Sequence, residues 1–200
     1  MTTLARCAGA LLLAATLALA GCGPAEPQFR SADITGTGYG RDFALTDHNG
    51  KAVTLADYRG KAVVLFFGYT QCPDVCPTTL SELAAAVERL GPAGKDVQVL
   101  FVTVDPERDT QALLAQYVPA FNPSFVGLYG DAAALERTAR DFRIVYRKQE
   151  GREPGSYTMD HSAGAFVFDP QGRLRLYVGY GQGAEVFAHD LAELLRTAKP

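Results

Sequence analysis

The chain has 200 residues, with 19 lysines and arginines against 22 acidic residues, so its formal net charge is −3. This mild acidity is spread along the sequence and argues against a nucleic-acid partner, while the length suits one domain with a buried core. No apolar run reaches the roughly 20 residues that a membrane-spanning helix needs.

Residues 1–21 have the features of a bacterial lipoprotein signal peptide. Arg6 precedes an apolar run that ends in Leu-Ala-Gly-Cys at residues 19–22, which resembles a lipobox. We expect cleavage before Cys22 and lipidation of its thiol, and thus an exported domain on a bacterial membrane, facing the periplasm or the cell exterior. An ordinary secretory signal is the alternative. Residues 22–41 are rich in glycine and proline and predict a flexible tether, with the domain over residues 42–200.

The remaining sequence alternates predicted strands and helices. Asn49-Gly50 and the Asp-Pro-Gln-Gly stretch at 169–172 each predict a hairpin turn. Continuous apolar runs predict strands buried on both faces, and apolar residues at helical spacing predict amphipathic helices. The predicted strands are 43–46, 52–55, 62–67, 97–104, 125–128, 143–146, 163–168 and 173–178; the predicted helices are 77–90, 110–117, 132–142 and 184–197; residues 147–160 are predicted to be a polar loop.

The strand–helix–strand unit over residues 62–104 implies parallel pairing with a right-handed crossover. Together with the hairpins, it predicts an α/β fold of thioredoxin type: a mixed central sheet, helices on both faces and an N-terminal β-hairpin. Ligands gather at the carboxyl ends of strands in such sheets. One central strand leads into Cys72 and the other into Asp105, so both residues are expected at this edge.

Cys72 and Cys76 are the two thiols left once the signal peptide is removed and Cys22 is lipidated. A disulfide across four residues closes almost no loop, so a structural role explains the pair poorly. Both cysteines precede a proline, which disfavours helical conformation in the residue before it. We therefore predict that the helix begins at Pro77 with Cys76 as its N-cap, where the helix dipole favours a thiolate and Asp74 opposes it.

Two thiols suit either a soft metal ion or a redox cycle, and a metal site needs a further ligand. The candidates are the three histidines of the chain. His48 falls in a predicted turn and His189 opposite the apolar face of the last helix, so both are expected to be solvated. His161 lies directly before a buried strand. Its position alone favours a structural role over metal binding.

Three segments identify a family resemblance: DFALTDHNGKAVTLADYRGKAVVLFFGYTQCPDVCPTTLSEL, VTVDPERDT and YTMDHSAGAFVFDPQGRL. Over residues 39–197 the chain resembles the Sco/SenC copper chaperones for cytochrome oxidase assembly. The resemblance implies that Cys72, Cys76 and His161 bind one copper ion per chain, as Cu(I) or Cu(II). Asp105 and Asp160 are candidates for polar neighbours of the site, although Asp105 could equally be a loop or capping carboxylate. The aromatic residues Phe66, Phe67 and Tyr69 are expected to form core and pocket wall.

Two functions follow as expectations. In the first, the chain is a metallochaperone, not an enzyme, and delivers copper to the copper-binding subunit of a respiratory cytochrome oxidase. In the second, it is a membrane-tethered thiol–disulfide oxidoreductase that uses Cys72 and Cys76 to keep a partner's cysteines reduced. Further candidate partners are another periplasmic copper chaperone and a thiol reductant. A peroxidase fits less well, because the cysteines lack a Thr-x-x-Cys setting.

Overall fold

The computed structural model describes residues 26–198, which form ten strands and four α-helices. Short 3-10 helices lie at Leu55–Tyr58 and Gly91–Asp96. The strands are β1 (Ala32–Asp33), β2 (Ala44–Asp47), β3 (Ala52–Thr54), β4 (Ala62–Gly68), β5 (Val97–Thr103), β6 (Val126–Tyr129), β7 (Tyr146–Glu150), β8 (Tyr157–His161), β9 (Ala165–Phe168) and β10 (Leu174–Val178), and the helices are α1 (Val75–Arg89), α2 (Gln111–Tyr117), α3 (Ala132–Asp141) and α4 (Gly183–Thr197).

Eight strands form one mixed sheet in the order β1-β10-β9-β4-β5-β6-β2-β3. The central strands β4, β5 and β6 are parallel, and the strands on either side of them pair antiparallel. Every residue of β4 and β5 is buried, as their continuous apolar sequences predicted. Because β4 and β5 are parallel, both end at the same edge of the sheet.

Helices cover both faces of this sheet. Phe66 and Phe101 are paired in register and share one face, where the ring of Phe101 contacts Tyr117 at the end of α2. Phe67 points to the other face and packs against Phe142, which directly follows α3. The predicted thioredoxin-type architecture is therefore confirmed.

Both predicted hairpin turns are present. The turn between β2 and β3 has Gly50 at φ 86°, and the turn between β9 and β10 has Gly172 at φ 72°. Glycine adopts these positive φ angles without the steric cost that a Cβ atom imposes. The Asp47 and Asp169 side chains each accept backbone hydrogen bonds across their turn.

The domain begins earlier than the sequence indicated. The backbone N–H groups of Arg30 and Ser31 donate to the carboxylate of Asp190 at 2.8 and 2.9 Å, and β1 pairs with β10. Burial alone would raise the pKa of Asp190, but hydrogen bonds from Ser31, Arg30 and His189 outweigh it and lower that pKa. The prediction of a flexible tether up to residue 41 is therefore wrong from Arg30 onward. The predicted signal peptide and Cys22 lie outside the described residues.

The predicted polar loop at 147–160 is instead a second, two-stranded sheet formed by β7 and β8. The predicted edge strand at 143–146 is also wrong, because Arg143 has a φ of 54° and the strand begins only at Tyr146. In the described part of the chain, β7 and β8 pair with each other and with no strand of the main sheet. This hairpin ends at His161.

Among residues 26–198, no helix combines the length and apolarity needed to cross a membrane.

Candidate metal centre

The cysteine turn, residues 69–76, follows β4 and includes the first residues of α1. The backbone N–H of Cys72 donates to the carbonyl oxygen of Tyr69, which closes the turn. The helix begins at Val75, so Cys76 lies in its first turn and is not the N-cap that the prolines predicted. Pro77 is tolerated there because the first backbone N–H groups of a helix have no partner within the helix. The N–H of Cys76 instead donates to the sulfur of Cys72 at 3.5 Å.

The two thiols lie in different environments. Cys76 is fully buried, with 0% exposure, whereas Cys72 is partly exposed. Burial raises the pKa of the Cys76 thiol, and a backbone hydrogen bond at Tyr69 opposes this only in part. The sequence left open whether the helix dipole or Asp74 dominates at Cys76; in the structure, burial has the largest effect on this pKa and favours the protonated thiol. Metal binding would displace that proton, because the thiolate is the form that ligates.

His161 reaches the cysteines from the end of β8. Its Nε2 atom lies 3.5 Å from the sulfur of Cys76, and its Nδ1–H donates to the carbonyl oxygen of Ser162 at 3.0 Å. Because a carbonyl can only accept, this hydrogen bond leaves the Nε2 lone pair facing the sulfur. Burial lowers the pKa of His161, which favours the neutral imidazole that binds metals. The rings of Phe66 and Tyr69 flank the imidazole, as expected of a pocket wall.

The three donor atoms of Cys72, Cys76 and His161 all lie within 4.8 Å of one another. Two sulfurs and one imidazole nitrogen form a soft donor set that suits Cu(I), and the same donors can hold Cu(II) with a weak additional ligand. The structure thus brings together the three residues that the sequence singled out, although they come from a turn and from a hairpin 85 positions later.

The other two histidines lie away from these cysteines. His48 Nδ1 accepts from the backbone N–H of Gly127 at 3.0 Å, and His189 contacts Asp190 on α4. Both side chains are partly buried and hydrogen-bonded, so the expectation that they are merely solvated is wrong.

Asp160 and Asp105 do not contact the ring of His161. The exposed carboxylate of Asp160 accepts from the Gln149 side chain at 2.8 Å, while Ser162 supplies the acceptor that orients His161. Asp105 is buried and accepts from Arg108 Nε and from the Tyr157 hydroxyl, the latter at 2.8 Å. Asp105 therefore contacts the β7–β8 hairpin through Tyr157 and makes no hydrogen bond to His161 itself.

Asp109 fixes the start of the cysteine turn through hydrogen bonds to Thr70. Its buried carboxylate accepts from the backbone N–H and hydroxyl of Thr70 and from the hydroxyl of Thr103. The N-cap of the next helix is the neighbouring Thr110, whose side chain accepts from the backbone N–H of Leu113. Asp109 lies in the loop between β5 and α2, and its partner Thr70 is 39 positions away, so no local signal in the sequence indicated this contact.

Gly68 is a site residue that the sequence did not reveal. A Cβ atom built on Gly68 would lie 2.7 Å from the Cys76 sulfur and 2.7 Å from Cε2 of Phe101. Side-chain atoms do not approach this closely, so the Cys76 sulfur occupies the space that any side chain at position 68 would need. The only sequence signal is a glycine that ends an otherwise apolar strand, which marks a close approach without naming the partner.

Comparison with known proteins identifies the family. The family model described as SCO1/SenC matches residues 31–196. The chain belongs to the SCO1/SenC family. The match covers most of the domain seen here and includes β1, ahead of the boundary at residue 42 that composition suggested.

Named members of the SCO1/SenC family align with the chain over the same region. The mitochondrial SCO2 homologue of Bos taurus is 41% identical over 146 residues, which cover 72% of this chain and 55% of the relative. The corresponding protein of Danio rerio is 42% identical over 141 residues, or 70% of this chain and 50% of the relative. The chain thus spans about half the length of these relatives.

Solved Sco structures share the fold. Bradyrhizobium japonicum ScoI, solved with copper bound, is 40% identical and superposes with a TM-score of 0.71, over 77% of this chain and 98% of ScoI. Apo Sco1 of Thermus thermophilus is 42% identical with a TM-score of 0.73, over 87% of this chain and 99% of Sco1. The domain described here therefore corresponds to nearly the whole of each solved domain.

Proposed function

We propose that this chain binds one copper ion through Cys72, Cys76 and His161 and delivers it, outside the cytoplasm, to the copper-binding subunit of a respiratory cytochrome oxidase. The observation that carries the proposal is the convergence of two sulfurs and one imidazole nitrogen within 4.8 Å. Copper bound to the related ScoI of Bradyrhizobium japonicum supports the choice of metal.

The donor set has the properties that a transfer site needs. Cys76 and the Ser162-oriented His161 are preformed, so copper enters a site that is already assembled. Three protein ligands leave copper open to attack by a fourth, incoming donor, whereas a closed four-ligand site holds its metal more firmly. Cys72 is partly exposed, and a partner's thiolate would therefore reach copper from the Cys72 side.

The oxidoreductase alternative keeps one observation in its favour. Both cysteines are free thiols held side by side, and Cys72, the more exposed of the two, is the one that would attack a partner disulfide. The burial that raises the pKa of Cys76 works against it, because thiol exchange proceeds through the thiolate. A dithiol cycle also gives His161 no function, although its Nε2 atom faces the sulfur of Cys76.

The anchor belongs to the same proposal. If Cys22 carries lipid, the segment from Cys22 to Arg30 spans at most about 28 Å when fully extended. Arg30 is already fixed to Asp190 on α4. The domain would therefore remain close to the membrane, where a membrane-bound oxidase presents its copper-binding subunit.

Replacing Cys22 with serine is expected to release the protein from the membrane fraction, because lipidation needs the thiol. Cell fractionation followed by immunoblotting measures this, and the matched control is Cys72→Ser, which should stay with the membrane. Mass spectrometry of the wild-type N-terminus checks the cleavage site. An unmodified N-terminus at any residue other than 22 would show that the anchor is not a lipid on Cys22.

Deleting the gene is expected to lower copper-dependent oxidase activity most strongly when copper is scarce, and added copper should restore much of that activity by mass action. Complementation with Cys72→Ser and Cys76→Ser combined should fail at protein levels matched by immunoblot. Full oxidase activity at limiting copper, together with oxidised cysteines on the partner, would favour the oxidoreductase instead.

A further inference from the structure

The hairpin that carries His161 is held to the domain by side chains and not by the main sheet. In the described residues, β7 and β8 pair only with each other. At the base of the hairpin, the backbone groups of Val145 hydrogen-bond with Ser162. A two-stranded hairpin is marginally stable by itself, so further contacts must set its angle to the cysteine turn. Tyr146 and Met159 of the hairpin pack against the core.

Arg108 adds polar contacts to the hairpin from the loop after β5. Its guanidinium lies over the ring of Tyr157, with Cζ 3.5 Å from the ring centroid, and its Nη1 donates to the Tyr157 carbonyl oxygen at 2.9 Å. Tyr157 is the first residue of β8 and His161 the last. The same Nη1 donates to the Gln71 side chain at 3.1 Å, and Gln71 directly precedes Cys72. Arg108 thus contacts both the hairpin and the cysteine turn.

Asp105 fixes Arg108 in this position. The Asp105 carboxylate, 2% exposed, accepts from Arg108 Nε on one oxygen and from the Tyr157 hydroxyl on the other. These contacts form a closed ring of three side chains. A lysine could not reproduce it, because only the planar guanidinium can stack on the ring while it donates in several directions. Lys148 Nζ also lies over the Tyr157 ring, 3.9 Å from its centroid, and pairs with Glu107, but both charges are exposed and the pair contributes little.

We propose that Arg108 is a positioning residue for the metal site: together with Asp105 and Tyr157 it fixes the β7–β8 hairpin against the cysteine turn and so holds His161 beside Cys76. The proposal rests on the ligand set given under Proposed function.

Arg108 touches no ligand atom itself. The cysteine turn is also held by Asp109 through Thr70, whereas among residues 26–198 the hairpin has no pairing to the main sheet. Loosening the ring of contacts would therefore free His161 more than the two sulfurs, so that the effect of Arg108 on copper passes mainly through the histidine.

A double-mutant cycle tests this. Arg108→Lys, which retains the charge, is expected to weaken copper binding of the full chain by about 10–100-fold, the usual loss when a group that orients a ligand is removed. It should also alter the thiolate-to-Cu(II) absorption. In a His161→Ala background, the same Arg108→Lys change should have an effect of less than about twofold, because the ligand that it positions is gone.

Two further variants separate the positioning effect from a general loss of folding. Tyr157→Leu removes the ring while Arg108 and Asp105 remain paired, and it should reproduce the Arg108→Lys pattern. Arg173→Lys changes an arginine that pairs with the buried Asp169. Asp169 directly follows Phe168, which is paired with Val63 near the start of β4. This variant lies at the end of the sheet away from the site and should leave copper binding unchanged. Hydrogen exchange in the metal-free chain should be faster in residues 146–161 for Arg108→Lys and unchanged in β4 and β5.

The outcomes separate the two proposals. If His161→Ala weakens copper binding but Arg108→Lys causes the same loss with and without His161, Arg108 acts independently of the histidine and the positioning role is overturned. Unchanged hairpin exchange in Arg108→Lys overturns it as well. If His161→Ala leaves the affinity and the spectrum unchanged, the ligand set itself is wrong, and the positioning role fails with it.

Discussion

Serine in place of either cysteine is expected to abolish tight copper binding. Cys72 and Cys76 supply both sulfurs of the donor set, and a single thiolate with one imidazole is a poor chelate for Cu(I). The loss should exceed the roughly 10–100-fold that follows removal of a group that only orients a ligand. Anaerobic titration against a competing Cu(I) chelator measures the affinity directly.

The two cysteine variants need different controls. Cys72 is partly exposed, so Cys72→Ser should retain the stability of the fold. Cys76 is fully buried, and a serine hydroxyl there without a partner would cost about 1–3 kcal/mol of stability. Cys76→Ala avoids the hydroxyl and should lose copper equally. Ser81→Ala, on the exposed side of α1, should bind copper as the wild type does. Tight binding retained by both Cys72→Ser and Cys76→Ala would refute the dithiolate site.

Alanine at Gly68 is expected to damage both the fold and the copper site. Its Cβ atom would approach the Cys76 sulfur and Phe101 Cε2 to 2.7 Å, so one or both must move. Overpacking of this kind usually costs about 1–3 kcal/mol. Gly68 does not have a positive φ angle, and the effect therefore comes from the occupied space and not from backbone strain.

Thermal unfolding of the metal-free protein and copper titration measure the two effects of Gly68→Ala separately. The expected result is a lower melting temperature together with weaker copper binding, because the displaced sulfur belongs to the donor set. Gly38→Ala is the matched control, since a Cβ atom at Gly38 meets nothing within 4 Å. A melting temperature and a copper affinity equal to those of Gly38→Ala would contradict the close packing of Cys76 on Gly68.

The parts of the fold that were predictable from sequence are those whose signals are local. Buried parallel strands require continuous apolar runs, and β4 and β5 carry them. The turn at Gly50 needs a positive φ angle, and the Asn-Gly pair signals it. Because a strand's direction fixes where its end lies, the placement of the cysteine turn and of Asp105 at one sheet edge also followed from the sequence.

The elements that were missed depend on contacts far apart in the chain. In the β7–β8 hairpin, β7 has four polar residues in five, and β8 alternates partly buried and exposed residues over only five positions, which is too weak a signal to distinguish a strand from a polar loop. The segment before residue 42 is rich in glycine and proline, yet Arg30 and Ser31 are fixed by Asp190, about 160 positions away. The start predicted for α1 was Pro77, but the helix begins at Val75, because proline is tolerated throughout the first turn of a helix and not only at its first position.

The candidate site shows the same division. Cys72 and Cys76 were evident as an isolated pair of thiols, whereas position alone favoured a structural role for His161, and the family resemblance was needed to assign it. Orientation of its ring by Ser162 could not be predicted, since it depends on the backbone path after β8. Arg108 was not singled out either, because its role appears only when the hairpin and the cysteine turn are brought together.

The most direct test of the central claim is a transfer experiment under anaerobic conditions. The copper-loaded full chain is mixed with the reduced, metal-free copper-binding subunit of the oxidase from the same cell. Copper on each protein is quantified after separation, and the thiols of both proteins are counted by alkylation and mass spectrometry. Copper delivery predicts that copper moves to the subunit while Cys72 and Cys76 remain reduced, and that the Cys72→Ser chain transfers none. If copper stays on the chain, and a subunit supplied with oxidised cysteines is instead reduced as Cys72 and Cys76 form a disulfide, the protein is an oxidoreductase and the delivery function is contradicted.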